Sequence, residues 1–248
     1  MEHVTAVADE LLAELAAKAD RDFAGRMQRY FPGGVAALGV GNAGVVGVVD
    51  AYFRARPGAS VGVRLAVAEE VLGRAVRHEE VLLGFAVARK AAKAGPGGGF
   101  LERCERWLGA YVSNWAQCDD LCLKVLYPYL LRHLDEVPVT RRWVESPSGW
   151  VRRAANVGVV KLVRRQVGRS VFELPLEHVF DNCVRLMRDD DVYVRKGCGW
   201  LLRVAGGVHP EEVAGFLREW HGELDRETFR CGLEKLDRET RAELMALG

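Results

Sequence analysis

Apolar residues along this chain recur at intervals of three and four rather than two, the spacing of one face of an α-helix. Residues 4–19 carry Leu11, Leu12 and Leu15 on one stripe, and 23–31 suggest a short second helix that Pro32-Gly33-Gly34 breaks. Further helices are predicted over 42–56, stopped by Pro57-Gly58, and over 61–76 and 79–94 as an antiparallel pair that ends at GPGGG, residues 95–99. Beyond that break the pattern predicts helices over 100–111 and 115–134, and Pro138 takes the first-turn position of the next. Ser148 is the expected cap of a helix that carries Trp150 and Arg153. Residues 176–187 and 192–204 read as another pair around the acidic turn Asp189-Asp190-Asp191, and the last helices begin near Pro210, Asp225 and Asp237.

Helical hairpins recurring at about 35 to 45 residues with short connections predict an all-α fold, a HEAT-like α-α superhelix (solenoid) of antiparallel helical hairpins. An irregular helical bundle is the alternative. In the superhelix, inner helices line a concave surface suited to a curved polymer. GPGGG reads as a loop between repeats, because either half alone would expose a stacking face. Residues 1–248 are therefore expected to form a single domain.

Composition adds a large core, with 49% hydrophobic and 28% charged residues, and excludes wholesale disorder. The net charge of +1 is uninformative, but its distribution is not. Residues 141–203 hold thirteen Arg/Lys against seven Asp/Glu, and 204–248 hold six against ten. A phosphate-binding face can lie inside such a neutral total, although charged residues that only solvate helices give the same asymmetry. The six cysteines form no CxxC pair and have no His ligand nearby, so no metal is expected, and most sit among apolar neighbours and read as small core residues. No cationic leader or membrane-length apolar run occurs, and a reduced, soluble, cytoplasmic protein is expected. His78-Glu79-Glu80 is not HExxH, the glycine-rich stretches lack GxGxxG and GxxxxGK, and no Ser-His-acid set presents itself.

Trp115 and Asp119 are the most informative pair, because residues four apart share a helix face. Asn114 is a natural N-cap for that helix. Asp120 points about 100° away, and one of the two acids is expected to face solvent, with Asp119 favoured as the inward one. Asp119 as a mere first-turn acid, favoured by the helix dipole, is the competing reading. Two more tryptophans sit in basic helical segments. Trp150 precedes Arg152 and Arg153, of which one can clamp a phosphate while the other braces the scaffold, against an acid such as Glu145. Trp200 follows Arg195, Lys196, Gly197 and Gly199 and precedes Arg203. Glycines there suit a helix that approaches another backbone or leaves room for a sugar or base; a Trp packed on small neighbours is the plainer reading. Trp107, Trp143 and Trp220 read as core.

In this order and spacing the residues resemble the DNA alkylation repair glycosylases, the AlkD-like HEAT-repeat proteins, over most of the chain. The family's Trp four residues before a catalytic Asp reads here as Trp115 and Asp119. Its Trp-x-Arg-Arg segment reads as Trp150-Val151-Arg152-Arg153, and its Gly-Trp-x-x-Arg segment as Gly199 to Arg203. Leu38-Gly39-Val40 and His78-Glu79 resemble its Gly-Val turn and His-Glu pair, and Phe229 to Lys235 echo its C-terminal segment. The chain departs at Asn114 and Ala116, where the family has an aromatic and an Asp, and at Val81, where it has an Arg.

The resemblance implies a monofunctional glycosylase that hydrolyses the N-glycosidic bond of N3- or N7-alkylated purines in double-stranded DNA. Asp119 would stabilise the electron-poor sugar and activate water, and Trp115 and Trp200 would contact the lesion nucleotide. Arg153 would hold a phosphate, with Arg152, Arg195, Lys196 and Arg203 as further basic candidates. No cofactor, metal, membrane or obligate protein partner is implied, and a monomer is expected. A non-catalytic HEAT-repeat DNA-binding protein and a protein-binding helical scaffold are the rival readings.

Overall fold

In the computed structural model, which describes residues 2–247, the chain is all-α apart from one small hairpin. It divides into two compact units, Met1–Tyr129 and Leu130–Gly248. The first holds α1 (Glu2–Ala16), α2 (Arg21–Met27), α3 (Asn42–Ala55), α4 (Val61–Arg74), α5 (His78–Ala94), α6 (Phe100–Tyr111) and α7 (Trp115–Asp120). The division falls within α8 (Tyr127–Leu130). The second holds α9 (Gly149–Val157), the strands β1 (Arg164–Val167) and β2 (Ser170–Glu173), and then α10 (Leu176–Leu186), α11 (Val192–Gly206), α12 (Pro210–Trp220), α13 (Arg226–Leu233) and α14 (Arg238–Met245). GPGGG is a loop between α5 and α6, inside the first unit. Among the described residues no helix is long and apolar enough to cross a membrane.

Each unit is built around one central helix. In the first, α5 packs on α3, α4 and α7, and its run from Val81 to Ala88 is buried on every side. In the second, α11 packs on α9, α10, α12 and α13 and buries Val194, Leu201 and Leu202. Trp107 and Trp143 are fully buried, as core residues should be, and Trp220 is half-buried. Five cysteines are buried, Cys198 with the Asn156 amide donating to its sulfur at 3.2 Å, and Cys231 is partly exposed.

Helix ends follow local chemistry. Asp225 and Asp237 each accept two backbone N–H groups of the following turn. Ser148 takes the N-cap position of α9, but its hydroxyl makes no capping bond. The Arg152 guanidinium ties down the preceding loop by donating to the carbonyls of Ser146 at 2.9 Å and Pro147 at 3.1 Å. The helix expected over 23–31 stops at Met27 and tightens into one 3₁₀ turn.

Two expected helices are altered by proline. The helix from Trp115 widens into a π turn over Leu121–Leu126, with the Tyr127 N–H donating to the Cys122 carbonyl five residues back. Pro128 follows at once and has no N–H to give the Lys124 carbonyl, so a regular α-helix there would lose a bond and meet the proline ring. Pro138 does not open an α-helix. It lies inside a run of 3₁₀ turns, Leu134–Glu145, where its missing N–H and its restriction of Val137 favour tighter turns.

The β1–β2 hairpin was not foreseen from the sequence. Arg164 pairs with Glu173 and Val167 with Ser170 around Gly168, whose φ is +59°. Its sides are mostly exposed and carry Arg164, Arg165 and Arg169.

Candidate functional site

The start of α7 is fixed by three side chains. Asn114 has extended backbone, and its Oδ1 accepts the Gln117 N–H at 3.1 Å, the N-cap its residue type favours. Gln117 is buried; its Oε1 accepts from the Ser113 N–H at 2.8 Å, and its Nε2 donates to the His78 carbonyl at 3.5 Å. Asn114 Nδ2 lies 3.3 Å from His78 Nδ1. The first helical residue, Trp115, is half-buried and stacks on Phe31 with ring centres 5.8 Å apart and planes 22° from parallel. Its Nε1–H donates to the Tyr30 carbonyl at 3.2 Å. Tyr30 itself is 54% exposed, with the Arg29 guanidinium over its ring.

The two short motifs read separately in the sequence, Leu38-Gly39-Val40 and His78-Glu79, form one joint. The Glu79 carboxylate is fully buried and accepts the N–H groups of Leu38 at 2.8 Å, Gly39 at 2.8 Å and Val40 at 3.1 Å. Three aligned donors meet the desolvation demand of a buried anion. Gly39 is required twice over: its φ is +78°, and a Cβ there would lie 1.9 Å from the Asp20 carbonyl oxygen. The neighbouring His78 is 6% exposed, its N–H donates to the Ala36 carbonyl at 2.7 Å, and its ring lies 5.4 Å from Phe31. Burial pushes the His78 imidazole below its ordinary value, against the opposing charge of Glu79.

Of the two adjacent acids, Asp120 is the more buried, at 9% exposure, whereas Asp119 is half-buried. Asp119 was expected to be the inward one. The difference arises because Asp120 points toward α3 and α5, beside Asn42 and Arg89, where Lys124 meets it; Lys124 Nζ also donates to Asn42 Oδ1 at 2.9 Å. Burial raises the Asp120 pKa, while the Lys124 bond and charge pull against it. Asp120 is thereby a scaffold acid. Asp119 lies one helical turn beyond Trp115 on the same face.

In the second unit, α9 sets Trp150 against Tyr193, ring centres 5.6 Å apart. Arg152 is the bracing arginine. Its partner is Asp189, gripped by two bonds of 2.6 and 3.0 Å, rather than Glu145, which pairs with Arg185. Burial works against an ionised Asp189, but the Arg152 bond, the Asp191 N–H and nearby positive charge outweigh it, so its carboxyl titrates below the usual range. Arg153 is 5% exposed and donates to the Tyr193 carbonyl at 2.6 Å.

The other basic candidates lie on α11. Arg195 donates to Asp225 at 3.1 Å and to the carbonyls of Asp189 and Asp190. Lys196 pairs with Glu227 and Arg203 with Glu234, each at 3.0 Å and each partly exposed. Trp200 is half-buried. A Cβ on Gly199 would stand 3.1 Å from Cys231 Cβ and 3.2 Å from Thr228 backbone, so this glycine serves the close approach of α13. At Gly197 a Cβ would make ordinary contacts with Arg153 and Asn156.

Sequence reasoning named Trp115, Asp119 and the Asn114 cap, but missed Phe31, Tyr30 and Tyr193. Their signal was weak, since each is an ordinary aromatic far along the chain from the residue it supports.

The model of a family described as "DNA alkylation repair enzyme" matches residues 11–236. Among solved structures, a predicted DNA alkylation repair enzyme from Enterococcus faecalis is 14% identical, covering 89% of this chain and 98% of that one with a TM-score of 0.75. AlkD2 from Streptococcus mutans is 16% identical, covering 88% of this chain and 99% of that one with a TM-score of 0.60. No curated protein sequence matches the chain.

Proposed function

Because the chain belongs to the DNA alkylation repair enzyme family, we propose that it is a monofunctional glycosylase that hydrolyses the N-glycosidic bond of N3- or N7-alkylated purines in double-stranded DNA. The observation that carries this reading is the first turn of α7. Trp115 is clamped by a ring on its face and a carbonyl at its nitrogen, Asp119 lies one turn along, and the neighbouring acid is committed to Lys124.

A purine alkylated at N3 or N7 is already cationic. When its bond to C1′ breaks, the shared electron pair leaves on a base that becomes neutral, and no strong acid is needed. Positive charge grows on the deoxyribose. The Asp119 carboxylate stabilises that charge, and the indole face of Trp115 adds a cation–π contribution. Water then bonds to C1′ and gives up its proton through Asp119 to solvent. The products are the free alkylated base and an abasic sugar. One carboxylate suffices because the leaving group arrives activated, unlike the paired acids of sugar-polymer hydrolysis. Arg153 reaches a backbone phosphate by giving up the Tyr193 carbonyl, and the exposed pairs of Lys196 and Arg203 exchange their acids for phosphates, since such surface pairs are worth only about 0 to 1 kcal/mol. The protein acts as a monomer on duplex DNA, without a cofactor.

Duplex DNA containing N7-methylguanine or N3-methyladenine provides the test. Wild type should release free base. Asp119→Asn should bind duplex as well as wild type but release base about 100- to 1,000-fold more slowly, the loss typical of removing one electrostatic stabiliser. Equal rates reject the role of Asp119. Retained DNA binding with no base release from wild type turns the reading to a non-catalytic DNA-binding protein. Arg153→Ala should weaken duplex binding with little dependence on base sequence, and unchanged affinity removes its assigned role.

A further inference from the structure

His78 touches both neighbours of Trp115. Its Nδ1 meets Asn114, which precedes Trp115 in the chain, and its ring lies beside Phe31, which backs the indole. Its carbonyl also takes the Gln117 amide, and its N–H ties the chain at Ala36. The direction of the Asn114 bond follows from the cap. Asn114 Oδ1 is occupied by the Gln117 N–H, so the group facing His78 is the amide NH₂, a donor. His78 Nδ1 must therefore accept, which places the ring proton on Nε2. An imidazolium here would set N–H against N–H.

We propose that His78, in its neutral Nε2–H form, is a positioning residue that sets the Trp115–Asp119 turn through its bond with Asn114. The Asn114–His78 bond is a polar link that joins α5 to the start of α7. The claim that this affects catalysis rests on the glycosylase reading; the claim that it fixes Trp115 does not. His78 itself touches no reacting atom in this scheme. It acts on where the indole and the carboxylate stand, and small displacements of reacting groups are strongly felt in rate.

Four variants test it. His78→Asn keeps an acceptor near the place of Nδ1. His78→Phe keeps a ring against Phe31 but has no acceptor. Asn114→Ser keeps an N-cap hydroxyl but gives His78 no amide, and the double variant His78→Phe/Asn114→Ser removes both ends. Two measurements are made on each: single-turnover base release from an N7-methylguanine duplex, and the Trp115 indole Nε1–H resonance in a ¹⁵N correlation spectrum, identified by its loss in Trp115→Phe.

His78→Phe and Asn114→Ser should each slow base release by about 10- to 100-fold with duplex affinity within about twofold of wild type. Each should also shift or broaden the Trp115 resonance. His78→Asn should restore both readouts to near wild type, and the double variant should be no slower than either single. A His78→Asn variant as impaired as His78→Phe, or single effects that multiply in the double, would overturn the proposal and leave ring packing as the role of His78. Should wild type release no base while the resonance still follows this pattern, the positioning role stands and the glycosylase reading falls. An unmoved resonance in His78→Phe and Asn114→Ser sinks the positioning role whatever the activity.

Discussion

The Trp115 segment of the first unit and the Trp150–Trp200 segment of the second are held by different kinds of force. Around Trp115 the fastenings are aromatic faces and bonds to backbone: Phe31 on the indole, the Tyr30 carbonyl at its nitrogen, and three N–H groups on the buried Glu79. Around Trp150 and Trp200, beside the Tyr193 ring and carbonyl, most fastenings are ion pairs: Arg152 with Asp189, Arg195 with Asp225, Lys196 with Glu227, and Arg203 with Glu234. Salt screens exposed pairs and leaves packed rings and buried amides almost untouched. The first arrangement suits a group that must stand still. The second suits a surface whose cations trade protein carboxylates for another anion.

The largest effect should come from the joint beneath His78. Glu79→Gln puts an NH₂ among three N–H donors inside the core, and should destabilise the first unit by about 3 kcal/mol, equally at low and high salt. Urea unfolding followed by amide hydrogen exchange along α5 checks this, and a loss that shrinks with added salt would contradict the contrast.

Acid should act on the second unit through His178, which is buried, with Nε2 lacking a hydrogen-bond partner among the described residues. Burial, aided by the Arg141 charge, pushes its pKa down to about 4. The unfolded chain then binds the proton more readily than the folded one. The full stability is present above about pH 6.5 and is lost as pH falls through the window toward 4, about 3 kcal/mol in all. Asp189 and Asp225, whose carboxyls are held low, add their own losses below the ordinary carboxylate range. Unfolding curves of wild type and His178→Asn, measured from pH 7.5 to 4, should converge by that amount; parallel curves would remove His178 from the account.

Arg152→Ala strands a mostly buried Asp189 and should cost about 2 kcal/mol, partly relieved at low pH as that carboxyl is protonated. Amide hydrogen exchange along α9 reports it. The smallest stability change belongs to Lys196→Ala and Arg203→Ala, each within about 1 kcal/mol. Yet each should reduce the salt dependence of duplex binding by about one unit of log–log slope. An unchanged slope would leave these residues as ordinary surface pairs.

The same division explains what could be read from the chain. Periodicity and capping residues depend on neighbours within a few positions, so α6, the Asp225 and Asp237 caps and the Asn114 cap were legible. Trp115 and Asp119 were legible because their spacing is itself a helical turn. Phe31 was not, nor was the contact of His78 with Asn114, because these side chains reach Trp115 and Asn114 only after the chain has folded back across 84 and 36 residues respectively. Pro128 and Pro138 were visible, but their outcomes, a π turn in one case and a 3₁₀ run in the other, depend on what each segment must pack against. The hairpin at 164–173 lies where helical periodicity lapses, and its few alternating residues were too short a signal.

The widened turn at Leu121–Leu126 acts as an angular offset in the first unit. Each residue advances a helix by about 100°, so one residue more or fewer in that turn re-aims everything on one side of it relative to the other. Deleting a single residue there would force α spacing onto the turn before Pro128, and it would swing Trp115 and Asp119 away from their present heading while Val125 and Leu126 stayed seated in the core. The direction in which this carboxylate looks is thus tied to an irregularity in the backbone, and insertions or deletions in that short stretch should be far less tolerated than in the glycine loop at 95–99.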